Sequence, residues 1–68
     1  MSVYYVNKNA QVTGEHEVHK SGCYWMPEPQ NRKYLGEYTS CHGAVKKSKE
    51  YYNNVDGCKH CSPACHTR

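Results

Sequence analysis

A single leucine, Leu35, stands in this chain with no isoleucine and no phenylalanine beside it. A domain of this size buries only about 60% of the surface that its unfolded form exposes, so each apolar residue weighs heavily on whether it folds. The remaining apolar residues are six valines, three alanines, two methionines, one tryptophan, seven tyrosines and five cysteines. Valine and tyrosine can build a thin core with the tyrosine hydroxyls turned to water, but not a conventional aliphatic one. The 68 residues therefore predict one small domain, 1–68, that needs a staple, and ten of them are cysteine or histidine. A multidomain enzyme does not fit this length. Nor does a membrane-spanning helix, which needs ~20 consecutive apolar residues.

The order of residues predicts an α+β fold. Val3 to Val6 is a β-branched and aromatic run closed by the turn-prone Asn7-Lys8-Asn9, and it reads as a strand. Alternation from Glu15 to Lys20 reads as a second strand, antiparallel to the first, with His16 and Val18 on one face and Glu17 and His19 on the other. Cys23-Tyr24-Trp25-Met26 is the most apolar tetrad and is closed by Pro27 and Pro29; Tyr34 to Tyr38 alternates enough for a third strand. From Ser40 to Asn53 the period becomes helical. Cys41, Ala44, Val45, Ser48, Tyr52 and Val55 share one face, and Thr39 or Ser40 offers an N-cap. The expected architecture is a short two- or three-stranded antiparallel sheet packed on one helix, ending in a Cys-rich C-terminal knuckle.

Nine Lys and Arg against six Asp and Glu give a net charge of +3. This falls short of the clustered stripe of a dedicated nucleic-acid binder. The run Lys46, Lys47 and Lys49 reads as the solvated face of the helix, with a phosphate contact as the alternative. The first residues form neither a charged leader nor an apolar signal core. With Met1 in place the expected location is the cytoplasm. Thiols there stay reduced, so five cysteines read first as metal ligands and second as disulfides.

The chemistry concentrates in Cys58-Lys59-His60-Cys61-Ser62-Pro63-Ala64-Cys65-His66. Two cysteines separated by two residues can hold one metal ion through a tight turn, and Cys65, past a proline turn, can reach a third corner. A structural zinc site needs four such ligands. Cys23 is expected as the fourth because it would tie the sheet to the tail, with Cys41 or His66 as alternatives and His60 behind them. Structural Zn2+ binding contributes ~10–16 kcal/mol in small peptides, a scale suited to a chain with so little core. Each cysteine also has a plainer reading: Cys41 as a small buried residue, and Cys23 in an ordinary disulfide with a tail cysteine. An iron–sulfur cluster would need one more local cysteine. A thioredoxin-like role would need the CxxC to open a helix.

His16-Glu17-Val18-His19 is one residue short of the zinc-protease HExxH pattern, and strand alternation sends its two histidines to opposite faces. A histidine in such a strand reads as a cross-strand hydrogen-bond partner. No Ser/His/Asp set, phosphate loop or carboxylate pair is present in the pattern, so no enzyme activity is expected.

Tyr4 to Gln11, Gly14, His16 to His19 and Cys23 resemble the opening of small, uncharacterised bacterial proteins. The resemblance continues through Leu35-Gly36, Ala44, Asp56-Gly57-Cys58, Cys61 and Cys65-His66, and it implies no established activity. Tyr38-Thr39-Ser40 leading into an alanine-containing helix is also similar to the strand-to-helix step of small bacterial ββα-repeat domains. Together these readings predict a non-catalytic module with a structural Zn2+ site, acting as a binding or adaptor protein toward an unknown protein partner. The alternatives are a thiol-based redox or metal-handling protein, and a nucleic-acid adaptor using Lys46, Lys47, Lys49 and the tyrosines.

Overall fold

A computed structural model describes residues 1–67. Strand β1 (Ser2–Asn7) pairs antiparallel with β2 (His16–Lys20), placing Tyr5 opposite His19 and Val6 opposite Val18. Its other edge pairs antiparallel with β3 (Arg32–Tyr38), which follows a 3-10 turn at Pro29–Asn31. Helix α1 (Cys41–Ser48) comes next, and then β4 (Val55–Gly57) joins the free edge of β2 in parallel. A second 3-10 turn, Pro63–Cys65, ends the regular structure. The sheet order is β3-β1-β2-β4.

The sheet thus has four strands and is mixed, where two or three antiparallel strands were expected. The difference is β4. Three residues carry no readable period, and Asp56-Gly57 has turn chemistry; only the edge of β2 makes them a strand. The helix is also shorter than Ser40 to Asn53. The Ser48 hydroxyl donates to the Val45 carbonyl at 2.8 Å, and the N–H groups of Tyr51 and Tyr52 both close on the Ser48 carbonyl. Released from the helix, Tyr52 stacks on His16 with ring centroids 3.8 Å apart, and Val55 enters β4. Ser40 is the N-cap residue in extended conformation, but its Oγ lies 3.4 Å from His42 Nδ1 and makes no side-chain cap bond.

One face of the sheet carries the core. Tyr4, Val6, Val18 and Leu35 pack under Cys41 and Ala44 of α1, with Tyr38, Val45, Tyr52 and Cys65 at the margin. Leu35 reaches that face through an irregularity: Tyr4 pairs with Gly36 but Tyr5 pairs with Tyr34, leaving Leu35 as the extra residue. Gly36 accommodates it at φ 120°, where other residues are strained. Gly57 serves a different need. A Cβ there would lie 2.6 Å from Cys65 Cβ and 2.8 Å from the Ser62 carbonyl oxygen, so its bare backbone lets the tail lie directly on β4. No helix among the described residues is long and apolar enough to cross a membrane.

Candidate metal centre

The opposite face of the sheet assembles a cysteine and histidine cluster. Strand alternation turns His19 away from Val18 and the core. The parallel ladder between β2 and β4 does the rest. Val18 pairs with Gly57, and the Cys58 N–H donates to the Val18 carbonyl at 2.9 Å, so His19 and Cys58 follow side by side on neighbouring strands. Both are 1% exposed. Beyond β2, a turn closed by Cys23 N–H on the Lys20 carbonyl at 3.0 Å folds Cys23 back over His19. Beyond β4, Ser62 N–H on the Cys58 carbonyl at 2.8 Å curls the knuckle and returns Cys61 to the same point.

The resulting separations are compatible with a tetrahedral site. Four ligands about 2.3 Å from one ion lie roughly 3.8 Å from each other. Here Cys23 Sγ is 3.7 Å from His19 Nδ1 and 3.9 Å from Cys58 Sγ, and Cys61 Sγ is 3.9 Å from His19 Nδ1. All four ligand atoms fall within 4.8 Å of one another, so the group can hold a metal ion. Surrounding groups support it. The Lys20 N–H donates to Cys61 Sγ at 3.2 Å, and Glu17 Oε1 lies 3.6 Å from His19 Nε2, the ring nitrogen that a metal on Nδ1 would leave free.

Burial sets the protonation of these groups. It lowers the pKa of His19 from 6.5 to about 4, so the imidazole is neutral at pH 7 with a lone pair to offer. Burial pushes the Cys58 and Cys61 thiols up, against backbone N–H groups of His60 and Cys61 at Cys58 and of Lys20 at Cys61 that favour the thiolate. A cation at the centre would reverse the burial effect by stabilising thiolates directly.

Of the ligands expected from sequence, Cys23, Cys58 and Cys61 meet in this cluster. Cys65 does not: the Pro63–Cys65 turn carries it to the core side of β4, where it forms a disulfide with Cys41. That bond also removes Cys41 as the alternative fourth ligand. His66 lies elsewhere, with Nδ1 3.1 Å from the Gly57 carbonyl and 3.3 Å from Asp56 Oδ2. His60 packs against Trp25 at 5.2 Å between ring centroids. The group missed in the sequence is His19, read there as a cross-strand partner. Its signal was the spacing to Cys23, four residues on across a turn. In the lysine run, Lys47 pairs with Glu50 at 3.0 Å, while Lys46 and Lys49 are exposed.

No known family, curated protein or solved structure matches this chain.

Proposed function

We propose that this protein is a non-catalytic zinc module whose Zn2+ is held by His19 Nδ1 and the thiolates of Cys23, Cys58 and Cys61. The observation that carries the reading is the closeness of the ligand atoms contributed by β2, the turn after it and the knuckle after β4: three separations of 3.7 to 3.9 Å, and all within 4.8 Å. One nitrogen and three sulfurs in tetrahedral array suit zinc. Three thiolates with Zn2+ and a neutral imidazole leave a single negative charge, and Lys20 and Lys59 adjoin His19 and Cys58 in the sequence. The ion would tie the tail to the sheet, supplying the staple that a core with one leucine lacks.

The same ion would fix a surface. Cys23 precedes Tyr24 and Trp25, which are 88% and 55% exposed and meet edge to face at 5.1 Å. His60, from the other half of the site, flanks Trp25. Exposed aromatic side chains held by a rigid turn are common anchors of protein recognition, and they support an adaptor role toward a protein partner.

Metal analysis of the purified chain is expected to give about one zinc per molecule. Chelation should unfold it and shift the emission of Trp25, the one tryptophan. A folded, metal-free protein with Cys23, Cys58 and Cys61 all titrating as free thiols would overturn the reading.

A further inference from the structure

The Cys41–Cys65 disulfide lies apart from the His19, Cys23, Cys58 and Cys61 cluster, and one of its cysteines borders a cleft. Cys65 is half-buried and lines an open cleft of about 430 Å³ on the helix side of the molecule. Val45 and Ala64 supply the apolar part of that cleft, and His42, Lys46 and Lys49 supply the polar part. Among the described residues no acidic side chain lines it. Lys47, which pairs with Glu50, is not part of it. The two sulfurs are therefore inequivalent: Cys65 faces a cationic cleft, whereas Cys41 is buried at the first residue of α1. A thiolate released at Cys41 would sit at the positive end of the helix, among N–H groups without helical partners. A stabilised leaving thiolate speeds exchange.

We propose that this cleft binds carboxylate-bearing thiols and that they exchange with the disulfide at Cys65. The incoming thiolate forms a bond to Cys65 Sγ as the Cys65–Cys41 bond breaks, and the electron pair leaves on Cys41 Sγ. A second thiolate then attacks the bound thiol's sulfur and releases Cys65. Two thiols are oxidised to one disulfide, the protein disulfide is reduced to two cysteines, and the two protons pass to Cys41 and Cys65. Lys46 and Lys49 attract the carboxylates of the incoming thiol. No step of the exchange passes through the cluster at the other face.

The test uses the full chain, with glutathione as the anionic thiol and cysteamine as a cationic one at equal thiolate concentration. Samples are quenched in acid, alkylated and mapped by mass spectrometry. The adduct is expected on Cys65 with Cys41 alkylated, and glutathione should react roughly fivefold faster, a margin that added salt reduces. The variant Lys46→Ala with Lys49→Ala, both exposed positions, should fold and lose the preference. An adduct on Cys41, equal or reversed rates, a preference that survives the double substitution, or no reaction with either thiol would each overturn the proposal.

Discussion

His19 combines two properties that are hard to obtain together: deep burial and an available lone pair. At 1% exposure its charged form is strongly disfavoured, and a pKa of about 4 leaves the ring neutral across the physiological range. A metal can therefore take Nδ1 without displacing a proton, whereas the raised thiols of Cys58 and Cys61 must give theirs up. Orientation comes from Glu17, whose Oε1 is 3.6 Å from Nε2. Once Nδ1 is bound, Nε2 carries the proton and a partial positive charge that this carboxylate can hold. Replacing such an outer partner lowers metal affinity by about 10–100-fold. For Glu17→Ala the expected loss of zinc affinity is about tenfold, the lower end because 3.6 Å is beyond hydrogen-bond length. Competition against a chromophoric chelator measures it, and an unchanged affinity would separate Glu17 from the site.

Among the elements, β4 and the Pro63–Cys65 turn decide which cysteines meet. Between them they send Cys58 and Cys61 to one side of the sheet and Cys65 to the other, so the His19, Cys23, Cys58 and Cys61 cluster and the Cys41–Cys65 disulfide are separate sets. Bridging residues 24 apart restricts the unfolded chain and contributes roughly 3 kcal/mol. The double variant Cys41→Ala with Cys65→Ala should lose about that much stability in urea titrations while keeping one zinc per chain. Cys58→Ser should lose the zinc. If the double variant also loses it, the two sets are not independent. This division marks the limit of what the sequence discloses. The β-branched and aromatic run of β1, the alternation of β2 and the Cys58-x2-Cys61 spacing are local signals, and they were legible. Leu35 was recognisable as core, though not the irregularity that delivers it. The three-residue β4 takes its conformation from β2 and has no period of its own. The role of His19 depends on that pairing, so it was hidden as well. Nor does spacing say to which side a proline turn will carry Cys65.

For the whole molecule, these charges make acid the condition that separates a zinc-bound fold from a metal-free one. In a metal-free fold His19 is an acid-sensitive group. Its folded pKa of about 4 lies below the unfolded 6.5, so the unfolded chain takes up the proton first. The stability this contributes is complete above pH 6.5 and is lost as pH falls toward 4, about 3 kcal/mol in all at 1.36 kcal/mol per pH unit. A zinc-bound fold behaves differently. Each ligating thiolate is a thiol in the unfolded chain at neutral pH, so three of them cost about 4 kcal/mol per pH unit on acidification, and His19 adds its share below 6.5. Against the ~10–16 kcal/mol that structural zinc supplies, such a slope exhausts the metal's contribution within a few pH units. The expected outcome is cooperative unfolding with simultaneous zinc release between about pH 6 and 4, followed by urea midpoints at stepped pH with a zinc-sensitive dye in the same cuvette. A shallow decline confined to the interval from 6.5 to about 4, with no zinc released, would be the titration of His19 alone and would remove the metal from the account of stability.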